Sequence, residues 1–186
     1  QNIVDYEKFN QALRLLREST GNLPMFAADN LITWNRNLSF LREDFFWQIV
    51  NSDEFDVVEK SCIWRVYMLL YFANACKQLP GDYVELGCHL GTTAKHVTEK
   101  VDFQALGKRY WLYDLFSWTP GDEHTHSPGH DNPHMYEDVV ERFASQPWVS
   151  IIRGSVPESF QQGFPDQIAF AHIDMNHPDP ESAALK

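Results

Sequence analysis

The residues best suited to chemistry lie in one segment, which reads YVELGCHLGTT over residues 83–93. An apolar run carries an acid, a glycine turn follows, and a threonine pair can begin a helix. Glycine lets the backbone approach a ligand, and the first turn of a helix offers N–H groups without intrahelical partners. At the C-terminal edge of a parallel sheet, such a turn is typical of a nucleotide-type cofactor site. The candidate binding residues are Glu85, Gly87, His89, Gly91 and Thr92.

Two further acids follow later apolar runs. Asp114 ends the run at 109–113, where a carboxylate can accept two hydrogen bonds from a vicinal diol. Its neighbour Leu115 is a further candidate cofactor contact. Asp174 ends the run at 167–173, and His177 follows three residues later. We interpret Asp174 and His177 as candidate catalytic residues, with His177 as the general base. The alternative for His177 is a solvated loop histidine.

The segment at 122–134 carries four histidines and three acids. This composition could bind a transition metal. Pro128, Gly129 and Pro133 exclude a regular helix, so the spacing defines no ligand geometry. A mobile lid over an acceptor pocket is the favoured interpretation, because loops at this edge of a sheet carry function.

Composition narrows the classes of partner. The chain has 186 residues, a formal net charge of −11 and 44% hydrophobic residues, which suits a folded domain and argues against a nucleic-acid partner. The longest apolar run, residues 66–73, is far shorter than the ~18 residues of a membrane span. Without a visible leader, and with three cysteines expected to be thiols, we expect a cytoplasmic protein that binds no membrane.

Hydrophobic periodicity divides the chain at residue 80. Residues 1–80 are predicted to form a helical segment, with helices at 6–17, 37–50 and 56–79. Residues 81–186 alternate strands with helices, which predicts an α/β fold with a doubly wound, mostly parallel sheet. The predicted strands are 83–86, 109–113, 149–152 and 167–173, and the predicted helices are 92–100, 133–144 and one from 180.

Only four strands are predicted, fewer than a doubly wound cofactor-binding sheet normally has. We therefore expect either that the chain is truncated after its fourth strand or that another chain covers the open edge. An uncovered strand edge favours association, so a homodimer is the simplest expectation.

Four stretches together resemble the class I S-adenosylmethionine-dependent methyltransferases, and most closely the macrocin O-methyltransferase type, which methylates sugar hydroxyls. They are YVELGCHLG (83–91), WLYDLF (111–116), IIRGS (151–155) and IAFAHIDMN (168–176), and the resemblance covers about half the chain. It implies a Rossmann-like methyltransferase fold that binds S-adenosylmethionine and methylates a hydroxyl of a small molecule, such as a sugar.

The resemblance also assigns roles to residues. Glu85, Gly87 and Gly91 would border the methionine part of the cofactor, and Asp114 would bind the ribose. Asp174 would help to bind a divalent metal, with Mg²⁺ the expected ion. The residues expected near the adenine are Gly154 and Ser155, and the family's aspartate two residues after Asp174 is Asn176 here.

Two rival functions remain open. An NAD-dependent oxidoreductase would need a G-x-G-x-x-G turn, and His89 occupies the place of its second glycine. A non-catalytic or truncated module that binds cofactor without turnover is the second alternative, and the small number of predicted strands favours it.

Overall fold

The structure, a computed structural model, describes residues 5–118 and 131–186. Its packing divides the chain into two units, Gln1–Arg65 and Val66–Lys186. The division falls inside a helix, whereas the sequence predicts a boundary at residue 80, in the loop after that helix. The predicted domain organisation stays a prediction. No helix in the described residues is long and apolar enough to cross a bilayer.

The N-terminal unit begins with helix α1, Tyr6–Thr20, which the Asp5 side chain caps by accepting a hydrogen bond from the Lys8 N–H. A hairpin follows, formed by strands β1, Met25–Ala28, and β2, Leu31–Trp34. The sequence prediction of a purely helical segment missed this hairpin. The sequence did contain a signal for the hairpin turn, namely the Asp-Asn pair at 29–30. These two residues take the positive φ angles of 51° and 56° that a tight hairpin turn requires.

The two predicted helices that follow are each divided. The predicted helix at 37–50 is a 3₁₀ turn, Ser39–Arg42, and then helix α2, Asp44–Asn51. The predicted helix at 56–79 is α3, Val57–Ser61, followed by α4, Ile63–Cys76. Asp56 and Glu59 form a capping box that begins α3. Part of α4 belongs to each unit.

Four parallel strands form the sheet of the C-terminal unit, in the order β5-β4-β3-β6. Each strand lies within one residue of its predicted bounds. The strands are β3, Asp82–Leu86; β4, Tyr110–Asp114; β5, Val149–Arg153; and β6, Ile168–Ile173. The predicted α/β fold with a parallel sheet is therefore confirmed.

The helices after α4 are α5, Thr92–Lys100; α6, Phe103–Leu106; α7, Met135–Arg142; and α8, Pro178–Ala184. Helices α5, α7 and α8 follow the prediction closely, whereas the four-residue α6 was not predicted. Successive strand residues point to opposite faces, so β3 divides its side chains between two cores. Tyr83 packs with Phe103, Tyr110 and Phe170 on one face. Val84 and Leu86 pack on the other, in a cluster with Tyr113, Ile152 and Val156.

The strand order reverses at β3. Strands β4 and β5 extend the sheet on one side of β3, and β6 lies on its other side. In open α/β sheets a ligand binds at the C-terminal strand ends beside such a reversal. The turn after β3 and the segment after β6 therefore occupy the expected position of a binding site.

Candidate functional site

The C-terminal ends of β3, β4 and β6 are joined by backbone hydrogen bonds. The Gly87 N–H donates to the Tyr113 carbonyl at 2.8 Å, and the Asp174 N–H donates to the Leu86 carbonyl at 2.9 Å. The glycine turn, Asp114 and Asp174 consequently lie along one edge of the sheet. These are three of the features that the sequence singles out.

Gly87 is required by the backbone of a neighbouring strand. Its φ is 87°, and a Cβ at this position would lie 2.1 Å from the Asp174 carbonyl oxygen. A side chain at Gly87 would therefore displace the end of β6. A substitution at Gly87 would thus disturb the fold itself as well as the approach of a ligand.

Helix α7 covers the other glycine of the turn. A Cβ at Gly91, whose φ is 72°, would lie 2.8 Å from Cε2 of Phe143, just after α7. The last residue of α7, Arg142, donates to the Leu90 carbonyl at 2.7 Å and to Oγ1 of Thr92 at 3.2 Å. Sequence reasoning missed Arg142 and Phe143, since nothing local distinguishes them from other residues of an amphipathic helix.

The Asp114 carboxylate joins the glycine turn to the loop after β4. Its Oδ2 accepts from the His89 N–H at 2.7 Å, and its Oδ1 accepts from the Phe116 N–H at 2.8 Å. His89, a predicted cofactor contact, thus bonds Asp114 through its backbone N–H. Its φ is 51°. Phe116 is buried, with an edge-on contact to Tyr136, so its role is packing rather than stacking on a ligand.

The end of β5 meets Asp114 through the backbone. The Gly154 N–H donates to the Asp114 carbonyl at 3.0 Å, which brings two predicted cofactor contacts together. Ser155 is exposed, and its hydroxyl donates to the Glu158 carboxylate at 2.9 Å. Leu115, next to Asp114, is 37% exposed. Gly154 and Leu115 thus flank Asp114, while the Ser155 hydroxyl is engaged within its own loop.

Glu85 is buried, with 1% of its surface exposed, and its carboxylate interacts with three other side chains. Its Oε1 accepts from the Thr93 hydroxyl and lies 2.9 Å from Nδ1 of His172, and its Oε2 accepts from the Tyr110 hydroxyl at 2.9 Å. A direct contact of Glu85 with a cofactor stays a prediction. The structure adds a second role, because this carboxylate joins β3 to β4, β6 and α5.

Cys88, inside the glycine turn, is buried and chemically quiet. Burial raises the pKa of its thiol well above the usual value, and the charges of Asp114 and Glu85 raise it further. The thiolate is the nucleophilic form of cysteine. Cys88 therefore remains a protonated packing residue at neutral pH.

Local hydrogen bonds add to the packing of Met175 and Ala184 on the core cluster in the segment after β6. His177 caps α8, since its Nδ1 accepts from the Asp179 N–H at 3.3 Å. Asp179 lies in the first turn of this helix. The Met175 N–H donates to the Glu181 carboxylate at 3.0 Å. A neutral imidazole has one acceptor nitrogen, so His177 can act as a base only when its ring leaves the cap.

Residues 5–118 and 131–186 contain no group of three or more His, Cys, Asp or Glu side chains that could hold a metal ion. The predicted Mg²⁺ ligand Asp174 therefore has no such cluster around it in this part of the chain. Residues 124, 126 and 130, three of the histidines of the predicted lid or metal segment at 122–134, lie outside the described residues.

Comparison with solved structures finds two methyltransferases among the similar chains. One is the O-methyltransferase NovP, with a TM-score of 0.46 and 18% identity over 61% of this chain and 54% of NovP. The other is CalS11, a calicheamicin methyltransferase, with a TM-score of 0.48 and 15% identity over 79% of this chain and 70% of CalS11. The chain thus spans about half the length of NovP. No family model and no curated protein matches the sequence.

Proposed function

We propose that this chain binds S-adenosylmethionine and acts as a methyltransferase toward a hydroxyl of a small molecule. The observation that carries the proposal is the position of Asp114. Its carboxylate lies beside the glycine turn, at the sheet edge where the strand order reverses.

The hydrogen bonds of Asp114 leave room for a ribose. A carboxylate has about four lone-pair sites. Two of them are used by the N–H groups of His89 and Phe116, so the others can accept from a vicinal diol. These same two bonds orient the carboxylate before a ligand arrives. The acceptor sites that remain on Asp114 therefore suit the ribose of a nucleoside.

The neighbouring residues suit the rest of the cofactor. Gly154 and the exposed Leu115 flank Asp114 and would border the adenine. The first turn of α5, after Gly91, would receive the methionine carboxylate with backbone N–H groups. S-adenosylmethionine supplies an electrophilic methyl group when bound. The protein must then align the acceptor and remove its proton.

We assign the proton transfer to His177, with Asp174 beside it at the end of β6. A ring that leaves the α8 cap would offer Nδ1 as the accepting atom. The resemblance implies Mg²⁺ at Asp174, but the described residues supply no cluster of ligands for it. No step is assigned to a metal. A sugar hydroxyl is the acceptor class that the resemblance implies.

A non-catalytic cofactor-binding module is the second candidate. The observation that favours it is the engagement of the one acceptor nitrogen of His177 as a helix cap. Such a module would bind cofactor at the same edge and would transfer no methyl group.

Calorimetry with S-adenosylmethionine, S-adenosylhomocysteine and NAD tests the proposal. We expect both sulfur cofactors to bind and NAD not to bind. Binding should persist in EDTA, because none of the proposed cofactor contacts involves a metal. Tight binding of NAD, or no binding of either sulfur cofactor, would contradict the proposal. Methyl transfer to a panel of hydroxylated sugars and phenols then separates the enzyme from the non-catalytic module.

We also propose that the chain forms a homodimer. Within the described residues β6 pairs only with β3, and Ile168 on β6 is 42% exposed. A strand edge without a partner favours association. Light scattering at micromolar concentration should give twice the mass of one chain, and a stable monomer would refute this.

A further inference from the structure

We propose that Glu85 is a positioning residue that couples the two halves of the proposed cofactor and acceptor site. The inference rests on the proposed function. It concerns the bonds by which this carboxylate, beside any contact of its own with the cofactor, holds the elements that form the site.

The bonds of Glu85 reach both halves. Thr93, which donates to Oε1, lies in the first turn of α5, directly after Gly91 and Thr92. His172, whose Nδ1 lies 2.9 Å from the same Oε1, precedes Asp174 by two residues on β6. One carboxylate oxygen therefore links the start of the proposed cofactor-binding helix to the strand that carries Asp174.

Tyr110 bonds the other oxygen of the Glu85 carboxylate. Its hydroxyl donates to Oε2 at 2.9 Å, and the side chain is 1% exposed. Burial and the charge of Glu85 raise the pKa of Tyr110 well above its usual value, so the hydroxyl remains a donor at neutral pH. Removing one donor leaves a buried carboxylate with an unsatisfied oxygen, and this weakens the bonded network through which Glu85 holds its remaining partners.

Tyr110 gives the sharpest test because it is too buried to touch a ligand. Tyr110→Phe removes only the hydroxyl that bonds Glu85. The matched control is Tyr83→Phe, since Tyr83 is equally buried, packs against the same Phe103 ring and donates its hydroxyl to the Ala73 carbonyl instead. Both variants lose one buried hydroxyl from the same aromatic cluster.

Calorimetry with S-adenosylhomocysteine should show a Kd raised roughly threefold to tenfold in Tyr110→Phe, the range expected for a residue that acts through a network. The Kd of Tyr83→Phe should stay within about twofold of the parent. Equal affinities in the two variants would overturn the inference, even where both lower the melting temperature.

Amide hydrogen exchange without ligand separates this inference from the proposed function. Tyr110→Phe should speed exchange at residues 87–93 and 173–175, and Tyr83→Phe should not. A parent protein that binds no S-adenosylhomocysteine but shows this exchange pattern would contradict the proposed function alone. Unchanged exchange in Tyr110→Phe would contradict the positioning role of Glu85.

Discussion

The turn after β3 and the segment after β6 reach the same edge of the sheet but are held in different ways. The turn is fixed by bonds between elements, from Asp114 to the His89 N–H and from Arg142 to the Leu90 carbonyl. The segment after β6 combines packing on the core cluster, through Met175 and Ala184, with local bonds such as that from the Asp179 N–H to His177. The half assigned to the cofactor is thus fixed by hydrogen bonds between elements, and the half assigned to the chemistry by packing and local hydrogen bonds.

The largest expected effect falls where the two regions touch. Gly87→Ala should lower the free energy of unfolding by at least about 3 kcal/mol, because its Cβ would lie 2.1 Å from the Asp174 carbonyl oxygen. Gly107→Ala is the matched control, since Gly107 also has a positive φ, 63°, but open space around it. Gly107→Ala should lower the free energy of unfolding by about 1–2 kcal/mol. Urea unfolding measures both, and equal losses would mean that the close approach at Gly87 is not limiting.

The next effect separates the two regions by ligand affinity. Asp114→Asn should raise the Kd for S-adenosylhomocysteine by roughly tenfold or more, because a charged acceptor of the ribose is lost. Asp174→Asn, an identical change in the other region, should leave that Kd within about twofold while it lowers methyl transfer. Calorimetry measures the Kd of both variants. Equal losses of affinity would mean that both regions bind the cofactor.

His177 distinguishes a cap from a base. His177→Ala should cost about 1 kcal/mol of stability, the usual value of a lost N-cap, and His177→Asn should restore it, because asparagine caps well. Neither variant should transfer methyl groups if the imidazole is the base. Thermal unfolding and a methyl-transfer assay are run side by side. Activity in His177→Asn would leave His177 with the structural role alone.

The smallest expected effect is on stability and concerns Glu99, at the C-terminal end of α5 and away from the first turn that is proposed to bind the cofactor. The interaction with the His96 ring, whose Nδ1 lies 3.6 Å from Oε2, is the main cause that lowers the pKa of Glu99 to about 2, and Lys95 contributes. A depressed carboxyl pKa stabilises the fold above the usual value of 4.5, and that stabilisation is lost as pH falls through about 2. Glu99→Gln should therefore be slightly less stable than the parent at pH 5, and the difference should shrink to a small fraction of that value by pH 2. Acid titrations of both proteins followed by circular dichroism test this, and an undiminished difference at pH 2 would assign it to packing.

The parallel sheet could be predicted from the sequence because each of its strands is a short, largely apolar run that ends at a polar residue or is followed by a polar residue or glycine. The β1–β2 hairpin could not be predicted as securely, since two four-residue strands beside Gly21 and Pro24 resemble a loop. Their Asp-Asn turn was the only strong local signal.

The candidate site was predictable only in part. Asp114 could be found because its role follows from its place at a strand end. The partners of Glu85 could not, because Tyr110 and His172 lie 25 and 87 residues away and meet it only through strand register. The cap formed by His177 also escaped prediction, since histidine is not among the side chains that favour that position.

Hydrogen-exchange mass spectrometry with and without S-adenosylhomocysteine shows directly whether the sheet edge around Asp114 is the cofactor site. We expect slower exchange at residues 87–93 and 114–116 when the ligand is present, with little change at residues 174–181. Protection confined to the segment after β6, or to the N-terminal unit, would contradict it.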